Sequence, residues 1–200
     1  MTTDAQQLDS ALERLPGRDG QVRDEQGLCH SLSDAAADRY KQFLRVAYDR
    51  AALSPDRSNQ NGAVLLSNNN GLCAGWGYNN FTPGIEYTTE HLANRDWKLA
   101  HIEHAERTAI FDAARQGNQI EGGILVCPWA ACSDCARAIV LSGIALVVVH
   151  KQRMNMTPDR WKQSVEVGMN IIRSGGVRIE SIDSTIGGNT IIVNGEAWQP

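Results

Sequence analysis

Residues 123–150, GILVCPWAACSDCARAIVLSGIALVVVH, decide how this chain folds. Gly123 to Cys127 is a strand-sized apolar run, and Pro128 ends it in a turn. Cys132 to Leu141 reads as a helix, and Ile144 to His150 is a second, valine-rich strand. Two strands joined through a helix pair in parallel by a right-handed crossover, so the centre of the fold is a strand–helix–strand unit.

The flanking sequence builds a layer around that unit. From Ser33, a suitable N-cap, apolar residues Tyr40, Phe43, Leu44, Ala47 and Ala51 recur at helical spacing up to Ser54-Pro55. The apolar runs 62–67 and 72–78 flank Asn68-Asn-Asn-Gly71, whose residues tolerate positive φ, and this predicts a β-hairpin. A weakly helical stretch, 89–98, precedes a helix from His104 to Gln116 that Gly117 ends. Thr157-Pro158 opens another helix, with Thr157 as N-cap and Pro158 in the first turn, ending at Ser174 before Gly175-Gly176. Residues 177–182 and 190–193 are short strands. The order α-β-β-α-β-α-β-α-β-β predicts an α/β fold, a three-layer α/β/α sandwich with a mixed central sheet. Residues 1–33 are polar and aperiodic and read as an N-terminal extension, with one domain over 34–200.

Bulk properties narrow the function classes. The net charge is −4 and the 19 Lys and Arg are scattered, so a polynucleotide partner is disfavoured and a small molecule is the better expectation. No apolar stretch is long enough to cross a membrane. The first residues carry no basic-then-apolar leader, and the five cysteines are an odd count, which together predict reduced thiols, metal ligands and a cytoplasmic location.

The chemistry concentrates in His104-Ala105-Glu106 and Cys132-Ser133-Asp134-Cys135, both at helix starts. Cysteines three apart on a first helical turn share a face and can grip one metal ion, and the helix dipole favours their thiolates. His104 supplies a third ligand, and three protein ligands leave a position for water, the arrangement of a catalytic zinc site (Zn2+) rather than a structural one. Zinc brings the pKa of bound water to about 7, and Glu106 is placed to move protons between that water, a ring nitrogen and a leaving amine.

H-x-E followed by C-x-x-C is the signature of the zinc deaminases. More of the chain resembles the deoxycytidylate (dCMP) deaminases: 58–65 (SNQNGAVL), Gly77-Tyr-Asn-Asn80 with Pro83-Gly84, 98–110 (KLAHIEHAERTAI), and 132–139 with Ser142-Gly-Ile144. The resemblance implies the cytidine deaminase-like fold and hydrolytic deamination of a cytosine nucleotide, dCMP to dUMP, with ammonia released. It further implies a homo-oligomer, often a hexamer. By the same resemblance Asn79 would bond the sugar, the backbone at Ala105 the base, and the Ala131 carbonyl the substrate amine. Trp129 is either a wall stacking on the base or simple packing.

Departures from the family pattern keep other substrates open. Ala131 stands where the family has Pro, Arg107-Thr108 follows the Glu, and Asn61 and Asn80 replace Val and Gly near the expected substrate pocket. The alternatives are a deaminase of a nucleoside, a modified cytosine nucleotide or a purine, or a non-catalytic zinc and nucleotide-binding module. Cys73 and Cys127 read as small buried strand residues, and Cys29-His30, His91 and His101 form a weaker candidate for a second zinc. Arg57 is a candidate phosphate contact, Asp159 and Arg160 read as a solvated helix face, and the 194–198 tail is a candidate contact to a neighbouring subunit.

Overall fold

The computed structural model describes residues 34–68 and 71–200, so the expected extension, the Ser33 cap and Cys29-His30 lie outside the described residues. A long helix, α1 (Asp34–Ala51), leads into the hairpin β1 (Gly62–Leu66) and β2 (Cys73–Tyr78), paired antiparallel as the Asn-Gly segment predicts. Asn69 and Asn70 of that segment are outside the described residues, and Gly71 takes φ +61. Two-residue strands β3 (Asn80–Phe81) and β4 (Ile102–Glu103) pair across the short helices α2 (Thr89–Ala93) and α3 (Arg95–His101). The expected single helical stretch breaks there because Asn94 caps the second helix, its side chain accepting from the Trp97 N–H.

The central unit then appears as predicted: α4 (Ala105–Gln116), β5 (Ile124–Val126), α5 (Ser133–Leu141) and β6 (Leu146–His150). A helical turn missed in the sequence, α6 (Lys151–Asn155), precedes α7 (Asp159–Ser174), β7 (Arg178–Ile182), β8 (Ile191–Val193) and β9 (Glu196–Trp198). Pro158, not Thr157, is the N-cap of α7. The Thr157 hydroxyl instead donates to the Met154 carbonyl at 2.6 Å and accepts from Trp129 Nε1 at 3.0 Å, which takes it out of the capping position.

The sheet order is β2-β1-β5-β6-β7, antiparallel across β2-β1-β5 and parallel across β5-β6-β7. Strand alternation sorts the core into two layers. Ala63, Leu65, Leu125 and Val147 face α4, α5 and α7, while Val64, Leu66, Val126 and Val148 face α1, where Leu44, Ala47, Tyr48 and Ala51 are buried. β6 is buried along its whole length, as a parallel strand covered on both faces must be. Each of these large aliphatic side chains contributes about 1.5–3 kcal/mol by leaving water. Among the described residues no helix is long and apolar enough to cross a membrane.

One local expectation changes. Cys73 is exposed, because it opens the edge strand β2 with no further strand beside it, whereas Cys127 is buried as expected. In the 194–198 tail the Trp198 ring lies 5.8 Å from Tyr48 and 5.9 Å from His150, while 194–197 are exposed.

Candidate active site

Small residues set the position of the first metal-bearing helix. α4 lies so close to β2 that a Cβ on Gly77 would come 2.6 Å from the Ala105 carbonyl and 2.6 Å from the Ala109 N–H nitrogen. The alanine stripe Ala105, Ala109, Ala113 makes that approach possible, and it delivers His104, the N-cap residue, and Glu106 to the end of the sheet. Cys132 is the N-cap of α5 and Cys135 sits in its first turn, so both helix starts converge as the sequence predicts.

His104 Nδ1 lies 3.4 Å from Cys132 Sγ and 3.5 Å from Cys135 Sγ, and all three ligand atoms fall within 4.8 Å of one another. Zinc–sulfur and zinc–nitrogen bonds of ordinary length in a tetrahedron put nitrogen and sulfur about 3.6 Å apart, so the three residues fit the ion. Among the described residues no fourth His, Cys, Asp or Glu joins the group. Arg107 ties the two helix starts together: it ion-pairs with Glu103, which also accepts the His104 N–H at 2.7 Å, and reaches Asp134 at 3.9 Å. Thr108 donates its hydroxyl to the His104 carbonyl at 2.9 Å. Arg107 and Thr108, departures from the family pattern, therefore brace the ligand helix.

Electrostatics follow from burial. Desolvation raises the carboxyl of Glu106 to about 7, against the opposing pull of His104, so the group can hold or release a proton near neutrality. The hydrogen bond from Cys135, helped by His104, lowers the Cys132 thiol to about 4, while sharing with Cys132 raises Cys135. Burial lowers His104, but its bond to Cys132 and the charge of Glu106 outweigh this and leave it raised.

His104, Cys132 and Glu106 open into a cleft lined also by Asn61, Asn79, Ala105, Trp129, Ala131 and Trp161. Of the expected ligands, Glu106 and the expected contacts Asn61, Asn79, Ala105, Trp129 and Ala131, all but Cys135 line that cleft. Both amide protons of Asn79 are engaged within the protein, with the Asn59 carbonyl at 2.9 Å and Asp56 at 3.4 Å, while its Oδ1 accepts from the Asn61 N–H. A Cβ on Gly168 would come 2.1 Å from the Ala131 carbonyl oxygen, so α7 packs tightly against the loop before Cys132. Trp129 is both wall and packing: it lines the cleft and meets Trp161 edge-on at 6.2 Å. Asn80, expected near the pocket, does not line the cleft; its Oδ1 accepts the Phe81 N–H at 2.9 Å.

Several cleft residues carried no motif. A buried ion pair, Lys98 Nζ to Asp56 Oδ1 at 2.7 Å, closes one side, and Ser58 Oγ lies 3.2 Å from the same ammonium. Arg95 and Arg160 are exposed, line the cleft and form no ion pair among the described residues. Arg160 is therefore more than a solvated helix face. Arg57 is exposed and stands outside the cleft lining. His91 and His101 each stack on Trp97 at 4.1 Å rather than joining a metal cluster among the described residues. Sequence could not single out Lys98, Arg95 or Arg160, since only the α2–α3 fold and the start of α7 bring them to the cleft.

Fold and site together define a metal-dependent, three-ligand centre with a buried carboxyl beside it, at the helix starts of an α/β/α sandwich. The family model for the cytidine and deoxycytidylate deaminase zinc-binding region matches residues 37–151, and the chain belongs to that family. It is 33% identical over 90 residues to the deoxycytidylate deaminases of Enterobacteria phages T2 and T4. Those matches span 45% of this chain, 44% of the T2 protein and 42% of the T4 protein. The fold is also that of the dCMP deaminase of cyanophage S-TIM5, solved in apo form (TM-score 0.53, 18% identity, 75% of this chain and 99% of that one). The same cyanophage protein in complex with dCMP and dUMP gives a TM-score of 0.54 at 18% identity, over 76% of this chain and 99% of that one.

Proposed function

We propose that this protein catalyses zinc-dependent hydrolytic deamination of a cytosine nucleotide, converting dCMP to dUMP with release of ammonia. The observation that carries this reading is the His104–Cys132–Cys135 ligand triangle opening, beside the buried carboxyl of Glu106, into a cleft. When bound, zinc lowers the pKa of a water to about 7 and so supplies hydroxide. Glu106 takes up the proton of the attacking water and returns protons to ring N3 and to the departing amine, which a carboxyl titrating near 7 can do in both directions. The reaction balances as water plus aminopyrimidine giving oxopyrimidine plus ammonia.

The nucleotide is favoured over the nucleoside by Arg95 and Arg160, two cations lining the cleft without carboxylate partners among the described residues, which suit a phosphate. Assembly of identical subunits belongs to the same reading and is supported by exposed Leu72 and Trp76 on and beside the edge strand β2 and by exposed Phe111 on α4. Reduced thiols serving as ligands suit a cytoplasmic setting. The direct test incubates purified, zinc-loaded protein with dCMP, deoxycytidine and dAMP and follows ammonia release and ultraviolet change. Turnover of dCMP at the highest kcat/KM is expected; absence of turnover on every substrate would overturn the proposal.

A further inference from the structure

The side chain of Asn61, buried in the cleft wall, is held in one orientation. Its Nδ2 donates to the Trp129 carbonyl at 2.8 Å and to Cys127 Sγ at 3.3 Å. A carbonyl partner demands an N–H donor, so the nitrogen end of the amide is fixed on that side. The other end, Oδ1, has no hydrogen-bond partner among the described residues, is not among their buried unsatisfied atoms, and belongs to a residue lining the cleft. The pocket wall therefore presents one oriented acceptor.

Its depth in the cleft says what it faces. The Asn61 side chain bonds Cys127 and the Trp129 carbonyl, in the segment that leads into the metal ligand Cys132, which places it at the metal-loop end of the cleft. A cytosine base lying with its reacting carbon at the metal ligands brings its N3 and 4-amino edge to this end. The 4-amino group is the ring's one hydrogen-bond donor.

We propose that Asn61 is a specificity-determining residue whose Oδ1 accepts a hydrogen bond from the exocyclic amine of the substrate. This rests on the deaminase reading above and extends it. The same oxygen opposes the product, because a 4-oxo group offers a lone pair where the substrate offered an N–H. Asn61 thus separates substrate from product as well as amino from oxo pyrimidines, by leaving a mismatched ligand with two acceptors face to face.

The test measures binding as well as turnover. Dissociation constants for dCMP and dUMP are determined calorimetrically in a Glu106→Gln background, with and without Asn61→Val, and zinc content and thermal unfolding are recorded for each protein. Loss of Oδ1 is expected to weaken dCMP by about tenfold and to leave dUMP unchanged or tighter, so the preference for dCMP falls by at least that factor. Equal weakening of both nucleotides, or no change in their ratio, would overturn the assignment. Should Asn61→Val not fold, Asn61→Thr and the dCMP-to-dUMP ratio of the unsubstituted wall carry the same test: a ratio below about three with Asn61 in place also overturns it. Failure of the activity reading is separate and visible, since the parent protein would then not deaminate dCMP at all.

Discussion

The guanidinium carbon of Arg153 lies 4.4 Å from the centre of the Trp129 ring, directly behind the wall of the cleft. Arg153 is completely buried, donates through Nη2 to Asn59 Oδ1 at 3.0 Å, and leaves Nε and Nη1 without a partner. Burial lowers its pKa to about 10, and no carboxylate pairs with it among the described residues. One cation thus anchors two cleft residues, Trp129 and Asn59, at the cost of its own desolvation. Arg153→Met removes that charge without stranding an opposite one. Thermal unfolding is expected to show stability within about 1 kcal/mol of the parent, while KM for dCMP rises several-fold as Trp129 and Asn59 lose their anchor.

Glu106→Gln keeps the shape of the site and removes the proton carrier. A loss of kcat of about 10²–10⁴-fold is expected, with one zinc per chain retained. Steady-state kinetics with metal analysis on the same preparation checks this, and retained activity would show that protons move by another group.

Cys132→Ser or Cys135→Ser takes one corner from the ligand triangle. Metal analysis is expected to show zinc lost from the purified variants, and activity with it. In the parent protein a chelator should abolish turnover and added zinc restore it, because the three ligands sit at the starts of two helices.

Arg95→Ala combined with Arg160→Ala tests the phosphate end of the cleft. KM for dCMP should rise by about tenfold or more, whereas kcat/KM for deoxycytidine should stay within about twofold. A high-salt series should weaken dCMP binding to the parent and leave the double variant almost unaffected.

His150 predicts how stability responds to acid. It is fully buried on β6, accepts the Tyr48 hydroxyl at Nδ1 (2.6 Å) and meets the Ser184 carbonyl at Nε2 (3.0 Å), an arrangement that suits the neutral ring. Burial lowers its pKa below the ordinary 6.5, against the pull of the Ser184 carbonyl and Asp183. In the unfolded chain the ring takes up a proton as pH falls through about 6.5, while the folded ring does not until lower pH, so unfolding is favoured in that window. Urea midpoints measured at pH 7.5 and 5.5 should fall for the parent, and fall less for His150→Gln.

The Gly123–His150 stretch and the two ligand motifs were legible because each depends on short-range chemistry. Strand and helix periods, a proline stop, a glycine C-cap at 117 and cysteines one helical turn apart are local facts, and they specify the mixed sheet and the ligand set without tertiary knowledge. Residues whose meaning is set by distant neighbours were not legible. Arg153 lies on a five-residue helix with no periodic signal, and only the placement of α6 behind Trp129 gives it a role. Lys98 and Asp56 are 42 residues apart and look like surface charges until packing removes them from water together. Cys73 is apolar in a strand pattern, yet edge position rather than residue type left it exposed. The sequence by itself determined the central strand–helix–strand unit, the long helices and the ligand triangle. The tertiary structure alone decided which polar groups line the cleft, because burial and partner distance depend on chain segments that meet only after folding.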